Sequence, residues 1–134
     1  MQKNLPTPIS VTIPTIIVLF ITSWFGVRTY ATIANWQILV EFGANPAYIL
    51  GTGVFWALTG LWLIAIIWRR KPYASQANSI SAGIFILWYW FDRLVMQSTP
   101  ALNGFFSLVI STLGLAVFII CLNIPASKSF FNME

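Results

Sequence analysis

The sequence predicts an all-α integral membrane protein, an antiparallel four-helix bundle with both termini on the cytoplasmic side. Three observations predict it. Of 134 residues, 58% are hydrophobic and only 7% are charged, against about 25% charged in a soluble domain. Four apolar stretches reach the roughly 20 residues that a helix needs to cross a hydrocarbon core of about 30 Å. The stretches between them are short, as antiparallel neighbours require. The chain therefore reads as one four-span domain of a cell inner (plasma) membrane, multi-pass and rich in Trp.

The first span is expected at about residues 13–33. It follows the lead Leu5-Pro6-Thr7-Pro8, with Pro14 placed in its first turn. Lys3 ahead of an apolar run has the look of a secretory leader. No small-x-small site follows that run, however, and it is long enough to span, so an uncleaved helix is expected. From Ala34 to Phe42 the chain either extends this helix or turns along the interface. A straight helix as far as Phe42 would measure about 45 Å, more than the core needs, so either an outer extension or a bend near Asn35 is expected.

The second span is expected at about 46–68. Gly43 reads as a stop, Asn45 as a helix cap and Pro46 as the first helical residue. Arg69-Arg70-Lys71-Pro72 ends it, with cations at the negative end of the helix dipole and a proline that cannot continue the helix. The third span is expected at about 78–96. The fourth, at about 100–124, opens on Thr99-Pro100 and closes on Asn123-Ile124-Pro125.

Basic residues set the orientation. Arg69, Arg70 and Lys71 form the dense positive patch of the chain, so this corner is expected in the cytoplasm, and Lys3 and Lys128 agree. Glu41 falls in an outer loop. Asp92 follows Trp88-Tyr89-Trp90-Phe91 within the third span, where an ionisable group costs at least ~2.5 kcal/mol and usually pairs. Arg28 lies ~22 Å along the first span and Asp92 ~21 Å along the third, by rise per residue. That shared depth predicts an intramembrane ion pair between Arg28 and Asp92. Asp92 reads as half of this structural pair or as a proton or cation site, and the neighbouring Arg93 weighs toward the structural reading. Arg93 itself points about 100° away from Asp92, able to reach outward to headgroups or to Glu41.

Small residues mark where helices approach closely in lipid. The fourth span carries Gly104, Ser107, Ser111 and Gly114 on one face, and the second carries Gly53, Ala57 and Gly60. The first offers Thr22, Gly26 and Thr29, and the third Ser75, Ser79, Ala82 and Gly83. These are expected packing faces, within the bundle or against another subunit. Trp36 and Trp68 fit interfacial belts. Trp24, Phe25, Phe55, Trp56, Trp88, Tyr89 and Trp90 lie deeper, as packing bulk or as the walls of an apolar pocket.

Four short motifs carry a resemblance. They are Ser10-Val11-Thr12, Trp56-Ala57-Leu58-Thr59-Gly60-Leu61, Trp68-Arg69-Arg70 and Tyr89-Trp90-Phe91-Asp92-Arg93-Leu94. Through them nearly the whole chain resembles a group of small, uncharacterised bacterial membrane proteins with a Tyr-Trp-x-Asp-Arg-Leu motif. The resemblance implies a shared four-helix architecture and brings no activity, cofactor or catalytic residue. The small multidrug exporters need a carboxylate in the first span, which this one lacks. The polar and phenylalanine track of fluoride channels does not appear either. The cap-proline starts at Asn45-Pro46 and Thr99-Pro100 give the two halves a faint likeness, which as a repeat would be parallel.

An enzyme is not expected. The chain holds no His and one Cys, and it has no phosphate loop and no metal signature, so no metal, cofactor or catalytic residue is expected. Topology accounts for the clustered cations, so no nucleic acid is expected. The bilayer is the expected solvent. The leading reading is a non-catalytic structural or accessory subunit, an assembly partner within a larger membrane complex or with copies of itself. The alternative is a small oligomeric transporter, channel or binder of a hydrophobic ligand such as a quinone, carotenoid or lipid. It would need a polar path, for which the inward half offers hydroxyls but no charges.

Overall fold

The computed structural model describes residues 6–97 and 102–132. Every regular element among them is helical: α1 (Ile9–Ala34), α2 (Trp36–Glu41), α3 (Pro46–Trp68), α4 (Ala74–Phe91), a π turn (Asp92–Met96), α5 (Gly104–Asn123) and α6 (Pro125–Phe131). Three of these helices, α1, α3 and α5, are long and apolar enough to cross a membrane. This is a membrane protein by the physical criterion of length and hydropathy. The third expected span falls on α4 and the π turn. Ser75, Gln76, Asn78, Ser79 and Ser81 make the first half of α4 polar, which keeps it out of that apolar set.

Local chemistry explains the boundaries. The backbone breaks at Asn35, between α1 and α2, so that of the two expected alternatives, an outer extension and a bend, the chain takes the bend. Glycine ends α2 in a Schellman motif: Gly43 is left-handed at φ 72°, its N–H donates to the Val40 carbonyl, and Ala44 N–H donates to that of Leu39. Asn45 then caps α3, its side chain accepting from Tyr48 N–H at 3.1 Å, with Pro46 at the first helical position.

Three boundaries differ from the sequence expectation. The α1 helix starts a turn early, at Ile9, so Pro14 lies inside it rather than in its first turn and cannot donate to the carbonyl of Ser10. The Pro8 carbonyl anchors this extra turn by accepting from Val11 and Thr12 N–H. The helix of the fourth expected span begins at Gly104; Thr99 and Pro100 lie outside the described residues. Pro125, expected only to close that span, opens α6, because the ring that terminates one helix suits the first position of the next.

The chain forms two compact units, Thr15–Arg69 and one built from the stretches up to Pro14 and from Arg70 onward. In the Thr15–Arg69 unit, α1 and α3 meet through the smallest side chains. A Cβ added at Gly53 would lie 2.6 Å from Thr29 Oγ1, and one at Gly60 would collide with Thr22 Oγ1. Both hydroxyls are turned back onto their own helix, Thr22 to the Val18 carbonyl at 2.7 Å and Thr29 to that of Phe25 at 2.8 Å. Lipid offers no water to satisfy them otherwise. Phe25 and Trp56 are buried beside this seam.

In the other unit, Ser75 Oγ of α4 donates to the Leu122 carbonyl of α5 at 2.8 Å. Ser127 of α6 is hydrogen-bonded to Ser10 Oγ at 2.7 Å and to the Cys121 carbonyl. Leu122 and Phe131 are sealed from solvent. Asn78 is also fully buried; its Nδ2 donates to the Ala74 carbonyl, and its Oδ1 has no partner among the described residues.

After α3, Arg70 takes the left-handed position at φ 49°, a place glycine usually fills. Its guanidinium lies 4.6 Å from the Phe130 ring centroid, a contact worth about 0.5–1 kcal/mol at an exposed site. Arg70→Ala removes that contact and keeps the backbone strain, whereas Arg70→Gly removes both. Arg70→Gly should therefore be about 1 kcal/mol more stable than Arg70→Ala by thermal unfolding in mild detergent. Equal midpoints would show that the turn is not strained.

Candidate functional site

The polar groups at the end of α4 are organised by a single π turn. Gln97 N–H reaches back five residues to the Asp92 carbonyl at 3.1 Å, and Gln97 Nε2 donates to Asp92 Oδ2, also at 3.1 Å. Such turns often sit at functional positions, because the extra residue re-aims the side chains that follow. Asp92 and Arg93 are both buried, each 8% exposed. Arg93 is engaged within its own unit. Its Nη2 donates to Asn103 Oδ1 at 2.7 Å and its Nη1 to the Tyr89 hydroxyl at 3.4 Å, with the Trp90 ring 6.0 Å away.

A buried guanidinium thus ties the end of α4 to the residue just before α5, an arrangement suited to fixing two helix ends. Asn103 and Gln97 are the members that sequence reasoning missed. Their only signal was an amide on each side of a short connection. Among the described residues, no group of three or more His, Cys, Asp or Glu side chains could hold a metal ion.

Arg28 lies on α1 in the Thr15–Arg69 unit and Asp92 in the other, so each is described by its own surroundings. The half-buried Arg28 has its guanidinium 5.8 Å from the Phe25 ring centroid. It lines a groove of about 470 Å³ whose walls come from α1, Leu39 of α2 and Ile49 of α3. A second groove of about 430 Å³, in the unit that contains α6, lies between the start of α4, Asn123 and α6, with Lys128 at its edge.

The small-residue faces have different surroundings. Gly53 and Gly60 are buried and in contact with α1, and Ala57, between them, is half-buried. On α5, among the described residues outside the local helix, no atom lies within 4 Å of where a Cβ would sit at Gly104 or Gly114, and Ser107 and Ser111 are half-buried on the same face. In the basic corner Arg70 is held by Phe130, Arg69 is exposed and Lys71 half-buried. Comparison with protein-family models, curated proteins and solved structures finds no match to this chain.

Proposed function

We propose that this chain is a four-span protein of the plasma membrane, both termini cytoplasmic, serving as a non-catalytic accessory subunit that binds a larger membrane complex through α5. For the third crossing, α4 (18 residues) continues into the five-residue π turn, and at about 1.5 Å per residue their combined length is enough for the core. The cationic corner from Arg69 to Lys71 supports the orientation. The resemblance carried by the Tyr-Trp-x-Asp-Arg-Leu motif agrees with this architecture.

One observation carries the functional reading. Among the glycine-bearing faces, that of α3 is filled by α1, whereas Gly104 and Gly114 of α5, like Gly26 of α1 and Gly83 of α4, meet no neighbouring atom among the described residues; α5 stands apart as the least buried of the three apolar helices. In the most apolar part of α5 only 11% is buried, against 33% in α3. Close helix approach in lipid depends on such small-residue faces, and that of α5 is available to a partner helix.

Purification from native membranes in mild detergent tests this. The expected result is co-purification with a larger complex at fixed stoichiometry, lost in Gly114→Leu while the unfolding free energy of the isolated chain stays within about 0.5 kcal/mol of wild type. A Gly114→Leu variant that keeps all its partners rules out the α5 face. A stable isolated oligomer carrying a bound hydrophobic molecule would favour the transporter or binder class instead.

A further inference from the structure

The groove beside Arg28 combines an apolar wall with one cation. Trp24, Val27, Ala31, Leu39 and Ile49 supply the apolar surface. Two of its polar lining residues are already committed to the helix: Thr32 Oγ1 donates to the Arg28 carbonyl at 2.7 Å, and Asn35 Nδ2 to the Ala31 carbonyl at 2.8 Å. The Arg28 guanidinium has five N–H donors. Within the Thr15–Arg69 unit the guanidinium lies over the Phe25 ring, and no hydrogen bond or carboxylate of that unit engages it.

Depth makes this arrangement informative. Arg28 lies about 9 Å before the end of α1 at Ala34, by rise per residue, and α1 has 26 residues, about 39 Å against a hydrocarbon core of about 30 Å. With the core centred on the helix, the Arg28 backbone lies a few ångströms inside the hydrocarbon. Its long side chain can lift the guanidinium to the level of lipid phosphates. A cation at this depth without an anion is costly, and the neighbouring groove can take an alkyl chain.

We propose that this groove is a binding site for one membrane phospholipid of net negative charge, its phosphate held by Arg28 and an acyl chain lying along Trp24, Val27 and Leu39. Guanidinium suits phosphate because its planar donors make paired, charge-assisted hydrogen bonds. The rival use of the same guanidinium is an ion pair with Asp92. The proposal is independent of the α5 reading above, since it concerns other helices.

The full chain, reconstituted in vesicles of equal phosphatidylglycerol and phosphatidylethanolamine and then extracted, is examined by native mass spectrometry. Wild type is expected to retain one phosphatidylglycerol per chain in preference to phosphatidylethanolamine. Arg28→Gln should lower that retention at least tenfold, and Leu39→Trp, which fills the groove and leaves the charge in place, should lower it comparably. Asp92→Asn should leave it unchanged.

Equal retention of both lipids by wild type, or no loss in Leu39→Trp, overturns the site. A rise in retention with Asp92→Asn overturns it too, since Arg28 would then belong to Asp92. Displacement of the lipid by millimolar inorganic phosphate would show that the groove holds an anion and not a phospholipid.

Discussion

Gly60→Ala is expected to destabilise the protein by about 1–3 kcal/mol, the range for overfilling a packed site, read as a lower melting midpoint in mild detergent. The new methyl group would collide with Thr22 Oγ1 and stand 3.0 Å from Thr22 Cβ. The hydroxyl cannot simply rotate aside, because it is hydrogen-bonded to the Val18 carbonyl at 2.7 Å. Either the side chain gives up that bond in a medium with no water to replace it, or α1 and α3 move apart.

A second substitution turns this into a test of the contact. Thr22→Ala removes the colliding oxygen, so the Thr22→Ala, Gly60→Ala pair should be more stable than the sum of the single losses predicts. Gly26→Ala, on the same helix with open space beside it, serves as control and should be neutral or stabilising by up to about 1 kcal/mol. Strict additivity between the Thr22 and Gly60 changes would sink the account of this seam.

Phe131→Ala is expected to cost about 3–5 kcal/mol, the usual penalty for emptying a buried aromatic site. Phe131 is 1% exposed and meets the Phe130 ring edge-on, with centroids 5.4 Å apart. A helix of seven residues has no stability of its own, so α6 stays folded only while docked against α4 and α5. The loss should therefore be local before it is global. Trypsin cleavage after the exposed Lys128 should accelerate at least tenfold in Phe131→Ala, with fragments mapped by mass. Unchanged cleavage with an unchanged midpoint would mean that this ring does not anchor α6.

Much of the helix punctuation was legible because it depends on neighbours in sequence. Gly43, Asn45 and Pro46 end α2 and start α3 through contacts that span at most five residues. Pro14 was misread because a proline at a first turn and a proline one turn inside look alike unless the preceding residues are judged too. Here Pro8 supplies the anchoring carbonyl for an earlier start. The segment from Pro125 to Phe131 was overlooked as a helix because it is too short for periodicity to register, and its reason to exist is the burial of Ser127, Phe130 and Phe131 against distant residues. Gly53 and Gly60 stood out as small, but only the fold pairs them with Thr29 and Thr22. The fate of Arg93 was hidden because a π turn, which no residue pattern announces, swings it toward Asn103.

The seam of Gly53, Gly60, Thr22, Thr29 and Phe25 contains no ionisable side chain. Acid therefore finds nothing there to protonate, and electrolyte finds no Coulomb attraction to weaken. The grip of α1 on α3 is steric, and it should hold equally at lysosome-like acidity and in brine while charge-dependent contacts elsewhere in the chain rearrange.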